Sequence, residues 1–331
     1  MSDSQLRALQ GYVELLAGNA VSHLVRTANL VGILQCLADG QKQLEEIADR
    51  CELNKAALER FMPALVQTPL VEQYGEYYAL SAVARLIPPT LADLGDSHWQ
   101  HVSKYLRSGK PLPQIPHVAT TEEDYANAAL AQEWLQTPAA MSAAAALDIG
   151  RHRRGLRVVE LGCASAVFSL TFAHADPTSS FVLVDSDSRI ALARSGAESL
   201  DMTERIEFVE ADYLTAELEL RNCDLVLLTS LLHRHSETEV QQLIARAASL
   251  LHESGELCIV DIFPGQPRGD QYRSIFELEL AMRTTAGQLH SIYFVKEWLQ
   301  QAGFGDIQFT HLPAPPYLWG LVIGAKNPAT T

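Results

Sequence analysis

The sequence predicts an α/β protein: a mostly parallel sheet with an antiparallel hairpin at its C-terminal edge, preceded by a mainly α-helical region. Three observations carry this. From Arg157 onward, short runs dominated by Val, Leu and Ile alternate with helical patterns, the signature of buried parallel strands joined by crossover helices. The last two runs, Asp306 to Leu312 and Tyr317 to Ala325, are separated only by Pro313-Ala314-Pro315-Pro316, so they should pair as a hairpin. Before Ile87 the apolar residues instead recur at spacings of three and four. A length of 331 residues with 47% hydrophobic content leaves room for about two domains.

In the helical half, Leu6, Leu9, Tyr12, Val13 and Leu16 form one stripe on a first helix. Val21 to Leu37 is apolar nearly all round, which predicts burial in a core or against another subunit. Leu44 to Cys51 and Asn54 to Met62 read as two short helices joined by a tight turn, with Asn54 as N-cap. Leu70 to Tyr74 and Tyr77 to Leu80, around Gly75-Glu76, read as a β-hairpin. Together these describe a winged helix. Its second helix carries only Lys55 and Arg60 as cations, with Glu59 between them, too few for reading base edges and phosphates. Pro88-Pro89 breaks the chain, Thr90 to Pro116 reads as irregular, and Glu122 to Leu147 is an Ala-rich helix.

The net charge of −15 disfavours nucleic acid as a partner. Apolar runs are short, so no transmembrane helix is expected, and no secretory signal is visible; the expected location is cytoplasmic. The five scattered cysteines show no CxxC pair, which predicts free thiols and no metal site.

In an open α/β sheet, ligands bind beyond the carboxyl ends of the strands. The first strand, Arg157 to Leu161, ends in Glu160-Leu161-Gly162-Cys163-Ala164-Ser165-Ala166, where small residues let a ligand approach the backbone. The second, Ser180 to Asp185, ends in a carboxylate that can accept from ribose hydroxyls. The third, Ile206 to Ala211, leads to Asp212 and Tyr213, a carboxylate for an exocyclic amine beside a ring that can stack. The fourth, Asp224 to Thr229, runs into Ser230-Leu231-Leu232-His233, and the fifth is Glu256 to Phe263. Each feature alone is also explained by caps and tight packing; four at successive strand ends point to a nucleotide-like ligand.

With these motifs the second half resembles the class I S-adenosylmethionine-dependent methyltransferases, whose sheet is Rossmann-like. The whole chain resembles the small-molecule O-methyltransferases with an N-terminal winged-helix dimerisation domain, the plant caffeate and bacterial antibiotic types. The matching features include Tyr77-Tyr78-Ala79-Leu80-Ser81, the His98-Trp99 to Pro113 segment and Ala302-Gly303-Phe304. The resemblance implies a winged-helix dimerisation domain over 1–95, a helical linker contributing to the substrate pocket over 96–150, and the cofactor-binding domain over 151–331. It implies S-adenosylmethionine as cofactor, a small hydroxylated aromatic or conjugated acceptor, and a homodimer. The family's glycine loop falls on Glu160, Gly162, Ala164 and Ala166, its ribose carboxylate on Asp185 and its adenine-side Asp on Asp212, with Tyr213 and Thr229 completing the cofactor set. Its Leu-His-Asp-Trp-Ser-Asp-Glu box falls on Leu232 to Thr238, which makes His233 the general base, oriented by Asp261.

Three departures stand out. Alanines replace loop glycines, which is tolerable if they sit in ordinary backbone regions; Arg234 and His235 replace Asp and Trp; and the family's second orienting Glu is absent from Ala286 to Ser291, where Gln288 or His290 could substitute. They leave open a cofactor-binding enzyme with other chemistry, such as decarboxylation, hydroxylation or rearrangement. Arg234 is expected to be solvated or salt-bridged and His235 to lie at a surface or interface. Trp99, Tyr125, Trp134, Met141, Phe276 and His290 are pocket candidates, for which packing is the plain alternative.

Overall fold

The computed structural model describes residues 2–85, 94, 99–112, 122–264, 271–315 and 317–327, with the side chains of 122–132 excepted. The side chain of Tyr125, residues 113–121 and most of the 88–98 segment therefore lie outside what is described. The chain divides into two compact units, Met1–Val102 and Ser103–Thr331.

The first unit opens with α1 (Asp3–Leu30), capped by Ser2 and Gln5 in a reciprocal capping box. Only Val25 and Ala28 of α1 are buried, while Leu6, Leu9, Tyr12, Val13 and Leu16 are all more than half exposed. The apolar stripe is thus real but uncovered within one chain. The expected single helix over Val21 to Leu37 is instead broken, because Gly32 adopts φ +84° and starts a separate α2 (Ile33–Ala38). β1 (Lys42–Gln43), α3 (Leu44–Arg50), α4 (Lys55–Leu65), β2 (Val71–Tyr74) and β3 (Tyr77–Leu80) follow. Asn54 caps α4 by accepting from the Ala57 N–H at 3.0 Å. The hairpin gains β1 as a third strand, in the order β1-β3-β2. Ile33, Ile47, Met62 and Leu65 close the core.

The second unit opens with a short α5 (Val102–Ser108), a helix inside the stretch expected to be irregular. Then come α6 (Glu122–Ala146), β4 (Arg157–Leu161), α7 (Val167–Ala175), β5 (Ser180–Asp185), α8 (Asp187–Ser199), β6 (Ile206–Glu210), β7 (Cys223–Thr229), α9 (Glu237–Leu250), β8 (Leu251–Ile262), α10 (Gln271–Arg283), α11 (Ile292–Gln301), β9 (Phe304–Leu312) and β10 (Trp319–Lys326). The seven strands run β6-β5-β4-β7-β8-β10-β9, with β10 antiparallel to both neighbours. Alternate residues of each strand feed opposite cores: Val158, Phe181 and Leu225 pack with Phe168 and Phe172, whereas Val159, Val182 and Val226 pack with Leu243, Ile244 and Leu299. The chain steps from β4 outward to β5 and β6, then returns to β7 on the other side of β4. The carboxyl ends of β4 and β7 therefore flank the switch point, where a ligand crevice is expected.

Among the described residues no helix is long and apolar enough to cross a membrane. All five cysteines are free thiols.

Candidate active site

A small recess opens at the switch point. Gly162, Ala164 and Ser165 after β4 line one side, Thr229 and Ser230 after β7 another, and Gln136 of α6 and Arg234 face them. Gln136 reaches Ser230 at 3.3 Å.

The loop needs its glycine. Gly162 has φ +69°, and an added Cβ would lie 2.7 Å from Leu231 Cδ1 and 3.3 Å from the Tyr213 ring. The two alanines do not occupy ordinary backbone regions, contrary to the condition set by the sequence. Ala164 has φ +49° and Ala166 φ +60°, both left-handed, a conformation that costs a non-glycine residue roughly 1 kcal/mol. The loop keeps this shape because its neighbours enforce it. The Ala164 N–H donates to Asp185 Oδ2 at 2.8 Å, and Ala166 begins α7 fully buried.

Beneath the loop, Glu160 is 1% exposed and accepts from the Ser169 N–H (3.2 Å), the Ser169 hydroxyl (2.5 Å) and the Thr229 hydroxyl. Burial outweighs these donors and pushes its carboxyl up to about 7. Glu160 and Thr229 thus tie β4, α7 and β7 together below the recess. Asp185, fully buried, also accepts from the Ser186 N–H at 2.8 Å and from Arg189 at 3.4 Å. These donors leave lone pairs on a four-site carboxylate. Asp212 is exposed and caps its own turn, accepting from the Leu214 N–H (2.8 Å) and the Thr215 hydroxyl (2.5 Å); that hydroxyl holds its pKa below the usual range.

His233 lies at the mouth of β8. Its Nδ1 sits 2.7 Å from Asp261 Oδ1, and Asp261 also receives the backbone N–H groups of His233 (3.3 Å) and Ile262 (2.7 Å). Burial of Asp261 alone would raise its pKa. The neighbouring His233 and these hydrogen bonds prevail and lower it, so the carboxylate is ionised and accepts from Nδ1–H. Nε2 has no hydrogen bond among the described residues. Phe276 packs edge-on against the imidazole, 5.2 Å between centroids, and Tyr317 backs Phe276 at 5.3 Å. Sequence reasoning found Phe276 but not Tyr317, which lies in the Pro-rich link between β9 and β10.

The absent second Glu is not replaced by a side chain on the imidazole. The Gln288 N–H donates to the His233 carbonyl at 2.9 Å, and His290 Nε2 meets the carbonyls of Leu232 (3.0 Å) and His235 (2.9 Å). These contacts grip the backbone of the box. Buried His290 is a clamp behind the site, stacked edge-on to Trp298.

Two expectations are corrected. His235 is partly buried, with Nε2 3.0 Å from the Tyr213 hydroxyl and Nδ1 3.6 Å from Glu239. Arg234 lines the recess and makes no ion pair among the described residues, so it is neither freely solvated nor salt-bridged. Met141 is 61% exposed, Trp134 holds a buried indole N–H without a partner, and Trp99 belongs to the first unit. No metal-binding cluster of His, Cys, Asp or Glu occurs among the described residues.

Comparison with known proteins agrees with this geometry. Residues 152–302 match a family model described as a methyltransferase domain. A 3-hydroxy-5-methyl-1-naphthoate 3-O-methyltransferase of Streptomyces sahachiroi is 24% identical over 331 residues, spanning 95% of this chain and 94% of the relative. Two solved structures share the fold over nearly the whole length. An O-methyltransferase family protein from Burkholderia thailandensis has TM-score 0.76 and 19% identity, covering 97% of this chain and 98% of that one. Human N-acetylserotonin methyltransferase in complex with S-adenosylmethionine has TM-score 0.75 and 17% identity, covering 98% and 99%. A glycine held at positive φ at the switch point and a buried carboxylate at the end of β5 lie within the matched region: residues 152–302 form a methyltransferase domain, and the chain is similar over nearly its whole length to O-methyltransferases.

Proposed function

We propose that this enzyme methylates a hydroxyl of a small aromatic or conjugated acceptor, with His233 as general base. The observation that carries the reading is the buried His233–Asp261 pair, 2.7 Å apart, with Nε2 left to take a proton. When bound, S-adenosylmethionine supplies an electrophilic methyl group. Asp261 orients the imidazole and stabilises the imidazolium once the acceptor proton has arrived. Phe276 against the imidazole, backed by Tyr317, offers an aromatic wall suited to a planar acceptor. The naphthoate hydroxyl named for the Streptomyces relative is of the same class.

The cofactor is proposed to lie over Gly162 and Ala164, with Asp185 accepting from its ribose and Asp212 and Tyr213 beside its adenine. Glu160 and Thr229 hold the loop from below. The first unit is proposed as a winged-helix dimerisation domain, since α1 leaves a row of large apolar side chains uncovered.

Incubation with methyl-labelled cofactor and a panel of phenols tests the reading. Label transfer to a phenolic oxygen with release of S-adenosylhomocysteine is expected. Cofactor binding without transfer to any hydroxylated acceptor would contradict it.

A further inference from the structure

Arg234 is a charge that this chemistry does not use. It stands one residue after His233, on the 3-10 turn Leu232–Arg234, and faces the recess opposite the Gly162 to Ser165 loop. Among the described residues its guanidinium has no hydrogen bond and no ion pair. The acids that act on it are already engaged. Asp185 holds the Ala164 and Ser186 N–H groups and Arg189. Asp261 holds the His233 ring and two backbone N–H groups. Desolvation and then the neighbouring Arg189 lower the guanidinium's pKa, so its surroundings disfavour the cation as they stand.

A half-buried guanidinium without a partner, facing a ligand recess, gains a pairing when a ligand brings an anion to it. A guanidinium's planar fork matches a carboxylate in a bidentate pair. We propose that Arg234 receives a ligand carboxylate in this recess. Two ligands could bring one: the amino-acid end of the cofactor, or an acidic group on the acceptor, which would make the substrates hydroxylated aromatic acids. The inference rests on the cofactor and acceptor occupying this cleft as proposed above.

Titration calorimetry on the full chain separates the sources, comparing wild type with Arg234→Met and Arg234→Lys. The probes are S-adenosylhomocysteine, methylthioadenosine (the same thioether nucleoside without the carboxylate), and, on protein saturated with S-adenosylhomocysteine, a hydroxynaphthoate beside the matching naphthol. If the cofactor carboxylate is bound, Arg234→Met weakens S-adenosylhomocysteine by roughly tenfold to a hundredfold, the scale of a charge-assisted pair, and leaves methylthioadenosine unchanged. If the acceptor carboxylate is bound, the hydroxynaphthoate alone weakens by that factor. Arg234→Lys recovers part of either loss, and its melting temperature, with that of Arg234→Met, reports on folding. The proposal is overturned if no loss depends on the carboxylate, whether charged and neutral probes weaken together or neither weakens. Failure of the wild type to bind S-adenosylhomocysteine would instead sink the underlying cofactor reading.

Discussion

At the residue scale, the chemistry turns on how burial is compensated. Asp261 is buried yet ionised because three donors converge on it, one of them the His233 ring. Asp261→Asn removes the charge that fixes the imidazole tautomer, so kcat should fall by roughly 10²–10⁴-fold, measured by methyl transfer with cofactor saturating. Glu160 shows the opposite balance. Its folded pKa is raised to about 7, so its contribution to stability is full below the ordinary carboxylate value and is lost as pH rises through about 7. Denaturant melts of the wild type should lose stability between pH 5 and 8, and Glu160→Gln should flatten that slope; an unchanged slope would refute the assignment. Ala164 carries a left-handed φ with its methyl only partly buried. Ala164→Gly should raise stability by about 0.5–1 kcal/mol, read from the denaturation midpoint. The strand-end residues were legible in the sequence because each follows an apolar run. The left-handed alanines were not, since backbone conformation at alanine leaves no mark in composition.

At the element scale, the turn carrying His233 has two supports. Asp261 of β8 holds the imidazole, and the segment 284–290 holds the backbone. Gly287 is needed there because a Cβ would come within 2.9 Å of the His233 carbonyl oxygen. His290→Ala should therefore lower kcat while leaving S-adenosylhomocysteine affinity within about twofold, a split that a general loss of folding would not produce. Gly162→Ala should act differently. It forces a Cβ against Leu231 at a φ disfavoured for alanine, so it should weaken cofactor binding together with stability. The helical rhythm and the Asn54 cap were readable from the sequence, and so were the parallel strands, four of them to within a residue and β8 with a start five residues earlier than expected. The break at Gly32, the extra strand β1 and the His290 clamp were not, because each depends on partners distant in sequence or on a single backbone dihedral.

At the scale of the whole molecule, the first unit has a core of its own around Ile33, Ile47 and Met62, yet leaves the apolar row of α1 in solvent. Light scattering at micromolar concentration should find a dimer, and replacing Leu9 and Leu16 together by Glu should shift it to monomer with little loss of helix content. A monomeric wild type would remove that role from α1. In the second unit Asp185 and Asp261 sit at strand ends around one crevice. The central claim is that binding and proton removal are carried by separate groups in that crevice, the loop after β4 and His233 after β7. Its most direct test is methyl transfer by His233→Ala under saturating cofactor, with S-adenosylhomocysteine affinity measured on the same protein. A kcat lowered by roughly 10²–10⁴-fold with affinity unchanged is the predicted result, and a loss below about tenfold would contradict His233 as the base.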